Sequence, residues 1–282
     1  MVKMAAESWV TIGGFIATTA SAVAAFFAVK QTMLQRTILT KPQLIINSQE
    51  VKTLHTSDSI FRLKFENTDF YNDIPITIKN VGLGTALNIN YNWTFDYKNT
   101  AKRSDIIETN KNQMHALLKK QSQTGERYFE LSDDKESDFV YFQFYRYGIS
   151  KHYGIKREHK ELEYIMPVTQ ENSPSKIEFP ALILLLLSEM ACSETASHDA
   201  FFNIMDAGQL IIKYEDISGN KKTIRFRCTL QLIRFQSKTE NGPSSTFRIE
   251  FNRIHSESRL GLQRLRKSYA DFMNKYDLNK NK

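Results

Sequence analysis

Residues 74–97 read IPITIKNVGLGTALNINYNWTFDY, and this stretch decides the fold class of the chain. From Ala86 to Tyr97 apolar and polar residues alternate, which is the period of a strand with one buried face. The apolar positions are Leu87, Ile89, Tyr91, Trp93 and Phe95, and the polar ones are Asn88, Asn90, Asn92 and Thr94. A second strand is predicted over Ile74–Asn80, and the two glycines of Asn80–Gly84 predict a turn between the strands.

Similar strand patterns recur on both sides of this stretch. They cover Gln43–Val51, Ser59–Phe65, Phe139–Tyr147, Glu161–Val168, Gly208–Glu215, Lys222–Phe235 and Phe247–Ile254. About eight short strands separated by turn signals predict an antiparallel sandwich. Two helical insertions are expected, one over Ser104–Gln121 and one buried helix after Pro180. Residues 42–255 are therefore predicted to form a mainly-β domain with helical insertions.

The chain begins with an apolar segment that is long enough to cross a bilayer. Trp9–Val29 contains no charged residue, and a helix of this length reaches roughly the ~30 Å of a hydrocarbon core. A cleaved signal peptide is the alternative, with Ala22-Val23-Ala24 as a possible cleavage site. We favour an uncleaved transmembrane and juxtamembrane helix over residues 1–41, because the helical pattern continues past Val29 to Pro42.

The distribution of charge predicts the orientation of this helix. The formal net charge is +7, and Lys30, Arg36 and Lys41 follow the apolar segment with no acidic residue among them. The positive-inside rule then places the C-terminal domain of a single-pass protein in the cytoplasm. The two cysteines, Cys192 and Cys228, are expected to be free buried thiols, which suits that reducing side.

The apolar segment is also rich in small residues. Gly13, Ala17, Ser21 and Ala25 recur at every fourth position, so a helix places them on one face. Small residues at this spacing let helix backbones approach closely, which predicts a homo-oligomer interface. The alternative is an anchor whose small residues have no role in association.

The middle of the chain offers few signs of catalytic chemistry. The sequence contains no P-loop, nucleophile elbow, dinucleotide fingerprint or H-E-x-x-H motif, so we expect neither an enzyme nor a bound cofactor. His152 and His159 lie in a basic segment that we interpret as a solvated loop rather than a metal site. The aromatic run at 139–147 fits a strand buried on both faces better than a base-stacking surface.

The last segment, residues 256–282, is predicted to form a basic amphipathic helix. Its apolar stripe contains Leu262, Leu265, Tyr269 and Phe272, and its cationic positions include Arg264, Arg266, Lys267 and Lys275. One interpretation is a helix that packs on its own domain. The other is a self-associating bundle whose basic residues bind an anionic ligand such as an oligonucleotide.

The span, the KPQLII segment at 41–46 and the IPITIKNVGLGTALNINYNW stretch together resemble a group of bacterial single-span membrane proteins. The resemblance covers roughly residues 9–97 and implies that the soluble part begins with an immunoglobulin-like β-sandwich. It extends to membrane effectors of bacterial anti-phage defence, with the ion-channel subunit of the Hailong system as one candidate.

Three functions follow from these features. The first is an effector that oligomerises through its span and forms a gated pore or disrupts the membrane, controlled by an anionic ligand or by a partner protein of the same defence system. The second is a membrane-tethered adaptor that binds a partner protein. The third is a membrane-tethered enzyme whose active site is assembled from distant residues. The small residues of the span favour the first.

Overall fold

The computed structural model describes residues 2–56, 60–65, 73–110, 125–170, 173–194, 204–237 and 242–254. Within these ranges the side chains of 2–13, 37–39, 161 and 192–194 are not described. The predicted C-terminal helix at 256–282 lies outside the described residues.

The described chain contains three helices and is otherwise mainly β. The helices are α1 (Val2–Leu39), α2 (Tyr97–Arg103) and α3 (Ala181–Glu194). The first seven strands are β1 (Leu44–Ile46), β2 (Gln49–His55), β3 (Leu63–Phe65), β4 (Ile74–Asn80), β5 (Ala86–Thr94), β6 (Ile106–Glu108) and β7 (Arg127–Ser132). The others are β8 (Phe139–Arg146), β9 (Ile149–Lys156), β10 (His159–Ile165), β11 (Ser175–Phe179), β12 (Met205–Asp216), β13 (Lys221–Gln236) and β14 (Ser244–Ile254).

The strands form three sheets. The largest has seven antiparallel strands in the order β10-β5-β12-β13-β14-β2-β3, and a second has the order β1-β4-β11. The third has the order β6-β7-β8-β9, in which β6 and β7 are parallel. The prediction of a mainly-β fold with an N-terminal apolar helix is confirmed.

The two antiparallel sheets face each other as the layers of a sandwich do. The Trp93 indole on β5 donates to the carbonyl of Glu178 on β11 at 2.7 Å, and its ring lies 5.0 Å from that of Phe179. The backbone N–H of Glu178 donates to the Tyr91 hydroxyl at 3.0 Å. The alternating apolar side chains of β5 therefore point into a core that also contains residues of the third sheet and of α3.

Residues 74–97 form the two predicted strands, but each strand joins a different sheet. β4 lies at the centre of the three-stranded sheet and β5 within the seven-stranded one, so the glycine turn carries the chain from one layer to the other. The alternation of β5 is interrupted at Asn88, whose φ is 50° and whose amide donates to Glu215 at 2.9 Å. As a result Ala86 and Ile89 are both buried.

Several predicted boundaries were wrong. The predicted strand Gln43–Val51 is divided into β1 and β2, because the chain leaves one sheet and enters the other at Asn47 and Ser48. The predicted helix Ser104–Gln121 is wrong over Ile106–Glu108, which pair with β7. Helix α2 instead begins at Tyr97, where the Asp96 carboxylate accepts from the backbone N–H of Asn99 at 3.2 Å. Residues 111–124 of that prediction lie outside the described residues.

Two local predictions are confirmed closely. β12 and β13 form the predicted hairpin, and the Asp216 carboxylate accepts the backbone N–H groups of Ser218 and Asn220 in its turn. The helix after Pro180 is α3, and every residue from Ala181 to Met190 is buried. At about 21 Å for its 14 residues, α3 is too short to cross a bilayer, and its apolar side chains fill the domain core.

Candidate functional site: the apolar helix and its junction with the domain

Helix α1 presents a long, exposed apolar surface. Gly14–Arg36 form one continuous helical segment that is long and apolar enough to cross a membrane, and none of it is buried against the domain. Phe15 is 73% exposed and Phe26 is 65% exposed. Apolar side chains with this exposure are costly in water, so the segment has the properties of a surface that requires lipid or another helix.

The helix has one face of small side chains and one of large side chains. At 3.6 residues per turn, Gly13, Ala17, Ser21 and Ala25 follow one strip, and Ala24 and Ala28 lie beside it. The opposite strip carries the large residues Phe15, Ile16, Val23, Phe26 and Phe27. The structure thus brings the four predicted interface residues together on one continuous helix, while a partner for them stays a prediction.

Three threonine hydroxyls of α1 are satisfied within the helix. Thr18 donates to the carbonyl of Gly14 at 2.8 Å and Thr19 to that of Phe15 at 2.9 Å. Thr32 makes the same bond to Ala28 at 2.9 Å. A hydroxyl paired with its own helix backbone carries a smaller penalty in hydrocarbon than an unpaired one. These threonines are therefore compatible with contact to lipid.

Helix α1 is attached to the sandwich by the glycine turn after β4. The buried side chain of Asn80 accepts the backbone N–H of Gln43 at 2.9 Å and that of Gly82 at 3.0 Å. Its amide donates to the carbonyls of Gly84 at 2.7 Å and Ile165 at 3.2 Å. One side chain thus joins the exit of α1, the turn and the end of β10. We call residues 40–43 and 80–84 together the junction.

The two glycines of the junction are required by close backbone contacts. A Cβ at Gly84 would lie 2.0 Å from the carbonyl oxygen of Thr40, and a Cβ at Gly82 would lie 2.4 Å from that of Lys41. No side chain can move to relieve either contact, because the opposing atoms belong to the backbone. The sequence predicts these glycines as turn residues, but the backbone atoms that they contact are more than 40 residues away along the chain and left no local pattern.

A second feature is an open groove of about 350 Å³ at the far end of β5, between the seven-stranded and four-stranded sheets. Lys98 and Arg157 line it, but both are paired. Lys98 lies 2.6 Å from Glu108, and Arg157 pairs with Asp133 and donates to the carbonyl of Ser137 at 2.9 Å. These cations stabilise the surrounding turns, so the groove offers little free positive charge.

The buried charges of the domain were not predicted from the sequence. Glu189 on α3 is 1% exposed and pairs with Arg127 on β7, which also donates to the carbonyl of Ser104 at 2.6 Å. The backbone N–H of Arg62 donates to the same carboxylate. Three distant segments meet at one carboxylate, and their separation in sequence explains why no spacing pattern revealed them.

Asp73 immediately precedes β4 in the chain and lies beside the first residue of α3. Its carboxylate accepts the backbone N–H of Ala181 at 3.2 Å. Burial raises the pKa of Asp73 to about 6, the bond from Ala181 opposes the shift, and Glu178 adds to it. Burial also raises the pKa of Tyr97, whose hydroxyl has no hydrogen-bond partner within the described chain.

The two histidines that were considered as metal ligands, His152 and His159, lie on strands. His152 lies on β9 and His159 on β10, in different sheets, so the interpretation of their segment as a loop was wrong. His159 is buried and stacks on Tyr91 at 4.4 Å. Within the described ranges, no group of three His, Cys, Asp or Glu residues is placed to hold a metal ion.

The aromatic run on β8 is divided between the two faces of its sheet. Phe142 and Phe144 are buried, and the ring of Phe144 lies 5.0 Å from that of Phe61, as a core strand predicts. Tyr141, on the other face, is 46% exposed, so the prediction of a strand buried on both faces was wrong at this position. Cys228 is a buried free thiol, and burial raises its pKa to about 12, so it is protonated at neutral pH.

The remaining predicted site residues lie at the C-terminal end. They are Leu262, Leu265, Tyr269 and Phe272 for the interface, and Arg264, Arg266, Lys267 and Lys275 for an anionic ligand. All eight are outside the described residues, so both assignments stay predictions. No protein-family model, curated protein or solved structure matches this chain.

Proposed function

We propose that this chain is a membrane effector whose copies associate through α1 and whose β domain controls the assembly. In this proposal the assembled helices form a gated pore or disrupt the membrane, and the chain catalyses no reaction. The observation that carries the proposal is the apolar segment Gly14–Arg36, which stands fully exposed and has small residues along one face. A solvent-exposed helix of this composition gains most from lipid on one side and a closely packed helix on the other.

The orientation and setting belong to the same proposal. Lys30, Arg36 and Lys41 favour the bacterial inner membrane with the β domain in the cytoplasm. An immunoglobulin-like identity of the sandwich and a role in anti-phage defence are part of the proposal, as the resemblance of residues 9–97 implies. The signal for opening would be an anionic ligand at the C-terminal segment or a partner protein.

The junction supplies a physical route for control. Gating requires that a ligand favour one of two packings of the helices over the other. Because Asn80 bonds to the exit of α1, to the turn and to β10, a displacement of the sandwich at this point also displaces the end of α1. A flexible tether would lose such a displacement, whereas a hydrogen-bonded junction passes it on.

A matched pair of substitutions tests association through the small face. Ser21 and Thr19 are both hydroxyl residues of α1, and a regular helix places them about 160° apart. We expect Ser21→Leu to weaken association by about tenfold, because a leucine blocks close approach of the backbones, and we expect Thr19→Leu to leave it unchanged. The measurement is the monomer–oligomer equilibrium of the full chain in detergent, followed by resonance energy transfer between labelled copies.

The result separates the proposed functions. A chain that is monomeric at all protein-to-detergent ratios would contradict the pore and would leave the membrane-tethered adaptor as the better description. Equal effects of Ser21→Leu and Thr19→Leu would show that association does not use the small face.

A further inference from the structure

The end of the domain from which α1 leaves carries a group of exposed apolar side chains. Val81 and Leu83 belong to the glycine turn, and Met166 and Val168 follow β10. Their exposed fractions are 50% for Val81, 55% for Leu83, 37% for Met166 and 47% for Val168. We call these four residues the apolar collar.

The collar residues lie on segments that contact the exit of α1. The backbone N–H of Val81 donates to the carbonyl of Gln43 at 2.9 Å, and that of Val168 donates to the carbonyl of Asn80 at 2.9 Å. Leu83 lies between the two glycines that contact Thr40 and Lys41. Val81, Leu83 and Val168 are therefore held next to the exit of α1. Met166 lies between Ile165, whose carbonyl accepts from Asn80, and Pro167, which forms a β-bridge with Asn80.

We propose that the collar contacts the lipid headgroup layer, so that the bilayer is bound by the end of the domain as well as by α1. This inference rests on the proposed membrane insertion of α1 and adds a second binding surface for the same partner. It also selects one position of the helix in the bilayer, with the hydrocarbon core starting near Gly14 rather than near Trp9.

The length of α1 and the thickness of a bilayer are compatible with a hydrocarbon core that starts near Gly14. Twenty residues from Gly14 span about 30 Å, which places the hydrocarbon boundary near Leu34. Thr40 then lies about 9 Å farther along the helix, just beyond a headgroup layer that is roughly 5–8 Å thick. The turn that touches Thr40 is at this level, and its apolar side chains extend a few Å from the backbone.

The charges near the collar fit the same surface. Met33 and Leu34 are exposed apolar residues in the part of the helix that would be at the boundary, and Lys30 lies about one turn inside it. A lysine side chain at that depth can extend its ammonium group to the headgroups. Lys41 at the junction and Lys79 at the end of β4 would then face anionic phospholipid.

The experiment places an environment-sensitive thiol label on the full chain in phosphatidylcholine–phosphatidylglycerol vesicles that contain a headgroup nitroxide quencher. The labelled variants are Leu83→Cys and Val168→Cys, made with Cys192→Ala. Cys228 stays unlabelled because it is buried and protonated. The control is Thr94→Cys, an exposed position about 26 Å along β5 from Ala86.

We expect the emission at Leu83 and Val168 to fall about twofold with the quencher, because contact quenching requires the label to lie within the headgroup layer, and we expect no change at Thr94. Equal emission with and without quencher at Leu83 and Val168, in protein that resists carbonate extraction, would overturn the collar and leave membrane insertion intact. Equal quenching at all three positions would also overturn it. Release of the chain by carbonate would instead contradict the proposed membrane function itself.

Discussion

The chain contains two apolar helices with opposite surroundings. Helix α3 is buried over Ala181–Met190 between the sheets, whereas Gly14–Arg36 of α1 make no buried contact with the domain. The difference lies in the side chains and not only in hydropathy. Helix α3 has leucines around its whole circumference, which fill the space between sheets. Helix α1 has alanines, glycines and hydroxyl residues on one side, which fill little space and suit a second helix at close range.

Length and ends separate the two helices further. Helix α3 follows Pro180 and has 14 residues, and its first free N–H groups are partly satisfied by the Asp73 carboxylate. Helix α1 has 38 residues and is tied to the domain at its C-terminal end through the junction. The sizes of its side chains, its length and the contacts at its ends therefore distinguish a core helix from a membrane helix. Substitutions can test the contacts of both helices.

The largest expected effect comes from the carboxylate of Glu189, which α3 places in the core. Replacing Glu189 by Ala leaves the buried guanidinium of Arg127 without its carboxylate partner. We expect a loss of about 3–5 kcal/mol in the free energy of unfolding, because one member of a buried ion pair is left uncompensated. The measurement is urea unfolding followed by Trp93 fluorescence, with Trp9 replaced by Phe.

Asp133→Ala provides the matched control for Glu189→Ala. It also removes a carboxylate from an arginine, Arg157, but the two side chains are 53% and 37% exposed. An exposed pair contributes about 0–1 kcal/mol, so a similar loss for both variants would show that the burial of Glu189 has no energetic role.

The second effect is expected where α1 joins the domain. Gly84→Ala places a Cβ against the carbonyl of Thr40, and we expect it to destabilise the folded domain by about 1–3 kcal/mol through overpacking. Gly154→Ala is the control, since its Cβ would meet only ring atoms of Tyr141 and Phe139, at 3.3 Å and beyond. Thermal unfolding in detergent compares the two. A chain whose α1 were attached by a loose linker would tolerate both substitutions equally.

The sequence predicted those parts of the molecule that depend on neighbouring residues. The composition of α1, the leucines of α3 and the turn of the β12–β13 hairpin are local signals, and the structure contains all three elements. β7, β9 and β11 were not predicted. β7 contains the charged residues Arg127 and Glu130 among its apolar residues, and both charged residues are buried. Because charged residues usually indicate an exposed position, the sequence of β7 does not show the pattern of a core strand.

The attachments between elements were beyond prediction for the same reason. Asn80 was recognised as a turn residue, yet its role at the junction depends on Gln43 and Ile165, which lie far from it in sequence. The meeting of Glu189 with Arg127 likewise arises only when α3 packs against the four-stranded sheet. A single sequence carries the periodicity of each element, but the contacts between elements require the assembled fold.

The smallest expected effect concerns the start of α3. Asp73 has a pKa of about 6 in the folded chain and 3.8 as its ordinary value, chiefly because burial disfavours its charge. The folded state therefore holds the proton more tightly, and the resulting stabilisation is fully present below pH 3.8 and is lost as the pH rises through 6.

Asp73→Asn removes the charge, and its amide oxygen still accepts the N–H of Ala181. We expect the variant to exceed the native chain by about 1–2 kcal/mol at pH 7.5, allowing for partial solvent contact, and to lose this advantage by pH 4. Urea unfolding at both pH values measures the difference in the free energy of unfolding between the variant and the native chain. The titration of other groups affects both proteins equally and cancels in this difference. If this difference does not change with pH, the Asp73 carboxylate ionises as easily in the folded chain as in the unfolded one. The start of α3 would then be as open to water as α1 is.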